Sequence, residues 1–334
     1  MRDVCWPLPS DRLVGIFAPM RIYRHYRTLP DEARGAAIAV GNFDGVHKGH
    51  QAVIGEAGRI ARAGGLPWAV LTFEPHPRRV FQPDQPPFRL TPMRAKSRAL
   101  EALGVDAMIV QRFNRDFSRQ PAEAFVKNVL ADGFGANHVV AGYDFVFGHK
   151  RGGNCELLLS MGKKLGFGFT AVSAINDGEG EVYSSTRIRR YLGDGDVRGA
   201  SAILGRHFSY EGRVSHGDQR GRAIGFPTLN LHLGSTVRPA LGVYAVRVGN
   251  LEGGETVWHD GVANVGKRPT FGGEDVILEA HLMNFSGDLY GKRIAVTLIE
   301  FIRAEKKFDG LEALRAQIAA DKKTAQSILA EAPA

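Results

Sequence analysis

The chain has 334 residues, 44% of them hydrophobic and 23% charged, with a formal net charge of +8 at pH 7. This excludes a disordered or fibrous protein and leaves room for two domains with full cores. Two distant cysteines, Cys5 and Cys155, support neither a disulfide framework nor a structural zinc site, and no apolar run reaches the roughly 18 to 20 residues of a spanning helix or forms a signal-peptide core, so a reducing cytoplasm is expected.

Residues 1–19 show no clear periodicity, and Met20 is expected to be a functional start preceded by a non-essential extension. From Ala36 short apolar runs alternate with amphipathic segments. Strands are expected at Ala36–Val40, Trp68–Phe73, Ala107–Val110, His138–Ala141 and Phe169–Ala174, and helices at His50–Ala63, Pro92–Leu103, Ala122–Leu130 and Cys155–Leu165. Such alternation predicts an α/β, doubly wound (Rossmann-like) parallel sheet covered on both faces. The proline-rich insert Glu74–Leu90 reads as a loop or lid near a strand's carboxyl end. Two further helices follow, one after Ser184–Ser185 and one capped by Asp196 and ended by Gly205.

The pattern changes at Gly205, giving expected domains over 20–205 and 206–334. Tyr210–Val214, Thr228–Leu233, Val243–Val248, Thr256–Val265, Ile277–Asn284 and Ile294–Ile302 read as strands of a mostly antiparallel barrel, with a covering helix over about Leu311–Leu329. The positive charge sits mainly in the first part, 27 Lys/Arg against 20 Asp/Glu, compared with 16 against 15 in the second. The basic residues are scattered, without a recognition helix, so small polyphosphates rather than nucleic acid are the expected guests, and no membrane partner is expected.

Three groups of the first module fall at strand carboxyl ends, where such a sheet collects its ligand. GNFDGVHKGH, at Gly41–His50, reads as a tight turn onto a helix start: Gly41, Gly45 and Gly49 permit close backbone approach, and His47 and His50 would point into one space that favours a phosphate, although the spacing alone also fits a junction with two incidental surface histidines. GYDFVFG spans Gly142–Gly148. SSTRIRR, Ser184–Arg190, offers hydroxyls and guanidinium groups; alone it also fits a capped helix start, but beside the histidine turn it reads as phosphate binding. In the second module Gly212–Asn230, GRVSHGDQRGRAIGFPTLN, is a glycine-rich loop running into a strand on which Thr228 and Asn230 share a face, suited to Mg2+ and phosphate oxygens or to capping a turn.

With TFEPHP at Thr72–Pro77 and GYDFVFGHKRGG at Gly142–Gly153, these motifs resemble the adenylyltransferase half of the bacterial bifunctional riboflavin kinase/FAD synthetase family, of the HxGH nucleotidyltransferase group. Gly212–Asn230, with PALGVYAV, GVANVGKRPTF and LEAHLMNFSGDLYGK, resembles its riboflavin kinase half. The resemblance, covering about Met20 to Ser327, implies Mg2+-dependent conversion of riboflavin to FMN and of FMN to FAD, with ATP as co-substrate. It implies that His47, His50 and Arg189 serve adenylyl transfer, with Gly41, Phe43, Asp44, Gly45, Gly49, Ser185 and Thr186 around the nucleotide. Asp144 reads as a flavin or nucleotide contact or as a turn residue, and Phe145 as part of an apolar wall for the flavin or as a core or loop anchor. In the kinase half the resemblance makes Glu279 the general base, puts Gly221, Gly225 and Pro227 in the ATP loop, and sets Thr228 and Asn230 around Mg·ATP. Leu229 replaces the usual Ala of PTAN, and Asn154 and Asn284 stand where an acid is common. The rivals are a chain with one active module, a non-catalytic flavin- or nucleotide-binding regulator, and an adenylyltransferase for another acceptor.

Overall fold

The structure is a computed structural model and describes residues 19–215, 227–253, 255–270 and 273–332. The expected extension thus lies almost wholly outside the described residues.

The first module opens with β1 (Arg21–Tyr23), β2 (Ala37–Val40), α1 (Lys48–Gly64), β3 (Trp68–Glu74), α2 (Pro77–Phe81), α3 (Met93–Ala102) and β4 (Ala107–Arg112). It continues through α4 (Arg115–Ser118), α5 (Ala122–Ala124), β5 (His138–Gly142), α6 (Cys155–Leu165), β6 (Gly168–Val172), α7 (Ser185–Asp194) and α8 (Val197–Leu204). Six parallel strands pair in the order β1-β4-β3-β2-β5-β6. Alternate residues feed two cores, one on each face. Ile38, Val40, Leu71 and Ile109 pack on one side; Ala37, Ala39, Val70 and Met108 pack on the other. That two-sided burial is why the strands read as unbroken apolar runs.

Two details depart from expectation. Strand β1 is an additional edge strand, three residues long and half exposed, which leaves no apolar run to read. The helix expected over Ala122–Leu130 is α-helical only to Ala124 and then widens into π-helical turns over Phe125–Ala131. Widening brings Phe125, Val126, Val129 and Leu130 onto a narrower stripe, and all four are buried.

The order reverses around β2, whose neighbours are β3 and β5. The crevice beyond the carboxyl ends of β2 and β5 is therefore the switch point at which open α/β sheets bind ligands.

The second module contains β7 (Ser209–Arg213), β8 (Leu229–His232), β9 (Gly242–Asn250), β10 (Trp258–Thr270), β11 (Gly273–Leu282) and β12 (Arg293–Ala304), antiparallel in the order β7-β12-β9-β10-β11-β8. A bridge from Ser215 to Asn230 draws the outer strands together, giving a nearly closed barrel. Leu231, Tyr244, Ala263, Leu278 and Val296 fill its interior. On the outer face Val243, Ala245, Val262 and Ile299 are covered by α9 (Leu311–Glu331) through Ala325 and Leu329. Arg303 fastens that helix to β12 by donating to Asp321 at 2.6 Å.

The modules share a core. Leu90, Ile188, Leu192, Ile203 and Leu204 belong to the same buried cluster as the barrel interior. The insert Glu74–Leu90 holds the short helix α2 and is stitched at its end to the barrel: Arg89 N donates to Ser235 O at 3.3 Å, and Val237 N to Arg89 O at 2.8 Å.

Candidate functional site

Beyond β2 the backbone makes a turn in which Phe43, Gly45 and Val46 all have left-handed φ angles, of 45°, 100° and 47°. For Phe43 and Val46 that conformation costs about 1 to 3 kcal/mol each, so surrounding contacts must hold it. They do so from several directions. The buried Asp44 carboxylate accepts from Leu90 N at 3.0 Å, Thr91 N at 3.0 Å and Arg189 Nη2 at 2.6 Å. Gly45 N donates to Thr91 Oγ1, Arg206 donates to the carbonyls of Gly45 and Val46, and Gln51 Nε2 donates to Val46 O. A Cβ at Gly41 would lie 2.9 Å from the Phe43 ring, and one at Gly49 3.2 Å from the His47 ring.

The turn presents the two histidines together. His47 caps α1, its Nδ1 accepting from His50 N at 3.3 Å, and the two rings stack with centroids 3.6 Å apart. The edge of Phe43 meets His50 at 5.4 Å. Burial, more than any neighbouring charge, lowers His47 to about 4 and His50 well below its ordinary value. Both rings are therefore neutral at pH 7, and His50 Nδ1 is buried without a hydrogen-bond partner. Burial alone would push Asp44 up, but the Arg189 guanidinium and the Thr91 and Leu90 amides outweigh it and hold the carboxyl below the usual range.

The SSTRIRR segment reaches the same place. Ser184 caps α7 by accepting from Arg187 N, Ser185 Oγ donates to Asp44 O at 2.7 Å, and Thr186 is exposed in the first turn. Arg189 donates through Nε to Phe88 O and through Nη2 to Asp44, so it braces the turn and the insert together. Arg187 is tied elsewhere, to Asp177 at 2.7 Å. At the end of β5, Asp144 is exposed, while Phe145 stacks on Phe147 and packs against the core. Asn154 caps α6, and Asn284 occupies a left-handed turn position.

Sequence reasoning missed Lys96, Arg206 and Thr91. Lys96 carried a legible signal, a lysine one turn before buried Leu100 on the core-facing stripe of α3. Arg206 and Thr91 carried none, because their partners are backbone groups and a carboxylate far away in the chain.

On the barrel, register aligns Asn264, Glu279 and Asn230 across β10, β11 and β8. Leu278 and Ala280 point inward, leaving Glu279 outward, where its carboxylate pairs with Arg268. Asn230 is buried and its Oδ1 has no hydrogen-bond partner. Thr228 is half-buried just before β8, the Pro227 carbonyl accepts from His281 Nδ1 at 2.9 Å, and Leu229 packs against the interior cluster. Gly221 and Gly225 lie outside the described residues. Among the described residues no cluster of three or more His, Cys, Asp or Glu could hold a metal alone. An unpartnered amide oxygen and a nearby hydroxyl instead fit a hard cation whose remaining ligands are phosphate oxygens and water.

Two family models match the chain in tandem. A family model described as FAD synthetase matches residues 29–187, and one described as riboflavin kinase matches residues 204–329. A protein of Escherichia coli (strain K12), described as bifunctional riboflavin kinase/FMN adenylyltransferase, is 42% identical over 308 residues, covering 92% of this chain and 97% of its own. A Haemophilus influenzae protein of the same description is 39% identical over 313 residues, with 92% and 99% covered. A crystal structure from Streptococcus pneumoniae, described as a macrolide-efflux protein, has a TM-score of 0.80 at 31% identity and covers 92% of this chain and 99% of that one. What it shares is the fold; among the described residues no helix is long and apolar enough to cross a membrane. With two family models matched in tandem and relatives aligned along 92% of its length, the chain belongs to the bifunctional riboflavin kinase/FMN adenylyltransferase family.

Proposed function

We propose that the two activities this chain carries are housed apart: phosphorylation of riboflavin to FMN in residues 206–334, and adenylylation of FMN to FAD in residues 20–205. The observation that supports this most is the separation of two chemically different groupings. One is a pair of neutral imidazoles at the switch point of a parallel sheet; the other is a carboxylate beside an unpartnered amide on the outer face of a barrel.

In the barrel, the riboflavin 5′-hydroxyl oxygen attacks the γ-phosphorus of ATP, its proton passes to Glu279, and ADP leaves. Arg268 orients that carboxylate. Thr228 and Asn230, through its free Oδ1, are the residues that would hold Mg2+ with the ATP phosphates, and Gly221, Gly225 and Pro227 are assigned to the nucleotide from the sequence. When bound, the cation neutralises charge on the phosphates.

In the sheet module, an FMN phosphate oxygen attacks the α-phosphorus of ATP and pyrophosphate leaves, with no proton to remove from the attacking group. Catalysis there is positioning and charge stabilisation. His47 and His50 offer N–H donors to the transferring group, and Thr186 and Ser185 face the triphosphate from the start of α7. Arg189 contributes charge from beside the turn that it braces. Gly41, Gly45 and Gly49, with Phe43 and Asp44, keep the backbone close enough for nucleotide contact, and Asp144 and Phe145 stand at the flavin end. Two cysteines far apart in sequence suit a cytoplasmic setting.

The test is incubation of the full chain with riboflavin, ATP and Mg2+, with products separated by chromatography. FMN should appear first and FAD after it, and both should stop on chelation of the metal. Appearance of neither product would overturn the reading.

A further inference from the structure

Lysine 96 is among the largest fully buried side chains, 1% exposed, and nothing in the division of labour above uses it. Its Nζ donates to the carbonyl of Asn42 at 2.6 Å and to Thr72 Oγ1 at 3.0 Å, and the Thr72 hydroxyl itself donates to the same carbonyl at 3.1 Å. Asn42 immediately precedes the turn Phe43–Val46, whose Phe43, Gly45 and Val46 are left-handed, and Thr72 lies on β3, the neighbour of β2. An ammonium group from α3 thus ties the first carbonyl of the histidine turn to the adjacent strand. A buried ammonium is expensive unless hydrogen-bonded and near opposite charge, so its retention there calls for a use.

We propose that Lys96 is a positioning residue for adenylyl transfer, whose charged ammonium fixes the Asn42 carbonyl so that the turn holds His47 and His50 in their stacked arrangement. This rests on the reading that the histidine turn is the adenylyl-transfer site. The charged and titratable groups acting on or responding to Lys96 are Asp44 from the turn, Glu74 from the end of β3, Arg89 from the insert, His50 from α1 and His76 at the cap of α2, with Arg189 of α7 paired to Asp44. Asp44 and Glu74 favour the ammonium; Arg89 disfavours it. Burial dominates and lowers Lys96 to about 8, within reach of ordinary assay pH. His76, lowered to about 4, and His50, lowered well below its ordinary value, have already lost their protons there, and the charge on Lys96 helps, after burial, to keep them unprotonated.

The experiment supplies FMN and Mg·ATP to the full-length protein and follows FAD formation from pH 7 to 9.5, with FMN formation from riboflavin measured in parallel. The wild-type adenylyl-transfer rate should fall as pH rises through about 8, while phosphorylation shows no decline at that pH. Lys96→Met should lower adenylyl transfer by about tenfold to a hundredfold, the range of a lost charge-assisted hydrogen bond, leave phosphorylation unchanged, and abolish the alkaline fall. Thr72→Val, which removes one acceptor but not the charge, should move the fall to lower pH, because the ammonium form loses a partner. A wild-type rate that is flat from pH 7 to 9.5 would overturn the inference even if neither variant folds. So would a Lys96→Met profile that keeps the wild-type shape. If the His47→Ala, His50→Ala double variant still makes FAD, the turn is not the site and both readings fail; if that variant is dead while Lys96→Met behaves as wild type, this inference alone fails.

Discussion

Lowering the pH from 7 to 5 should destabilise the first module through its buried imidazoles. His47 is 5% exposed, and burial, with Arg189 and Arg206 adding to it and Asp44 opposing it, lowers the ring to about 4. In the unfolded chain it titrates near the ordinary 6.5. Between those values the unfolded state binds a proton that the folded state refuses, so stability increases with pH across that window. The contribution of a neutral His47 is complete above about 6.5 and is lost as the pH falls towards 4. At about 1.4 kcal/mol per pH unit, His47 alone costs about 2 kcal/mol by pH 5 and about 3 kcal/mol by pH 4. Between pH 7 and 5 few ordinary carboxylates titrate, so the histidines dominate the slope. Urea denaturation at pH 7, 6 and 5, followed through the fluorescence of Trp68, which is buried in β3, reads this module. His47→Gln, which cannot titrate, should reduce the pH dependence by the same 2 kcal/mol at pH 5. Equal stability at pH 7 and 5, or a His47→Gln protein with the full wild-type slope, would refute the reasoning.

Asp44→Asn keeps the shape of the side chain but leaves the Arg189 guanidinium without its counter-ion. It should cost about 3 to 5 kcal/mol in the same denaturation assay and slow FAD formation from FMN, while FMN formation is retained; unchanged stability would show that the pair does not brace the turn. Asn230→Ala removes the unpartnered amide oxygen and should raise the KM for ATP in riboflavin phosphorylation without altering FAD formation from supplied FMN. An unchanged KM would take Asn230 out of the nucleotide site.

Much of the fold is legible because its two layer types leave different patterns. Buried parallel strands such as Ala37–Val40 read as solid apolar runs, and Leu278-Glu279-Ala280 reads as a strand with one polar face. Caps were equally local: Asp196 accepts from Gly199 N at 2.7 Å, and Gly205 ends α8 in a left-handed conformation, as the sequence implies. Contacts between distant segments left no such trace. Arg189 is an exposed-looking arginine in the sequence and becomes the partner of Asp44, 145 positions away. The insert Glu74–Leu90 reads as a lid, yet Arg89 is held by the backbone of the barrel. The shared core of Leu90, Ile188 and Leu204 with the barrel interior is likewise a tertiary fact, because each residue looks like an ordinary core position of its own module. Motifs named the histidines and Glu279. Geometry added what holds them, and it showed the two histidines as neutral, stacked rings.

The most direct measurement uses two full-length variants, Glu279→Ala and the His47→Ala, His50→Ala double variant, each given riboflavin, ATP and Mg2+ alone and then mixed. Glu279→Ala should make no FMN but convert supplied FMN to FAD, and the histidine variant should accumulate FMN and stop. The mixture should make FAD from riboflavin, because FMN released by one protein is consumed by the other. A folded single-site variant that loses both steps, or a mixture that stops at FMN, would contradict two separately housed reactions.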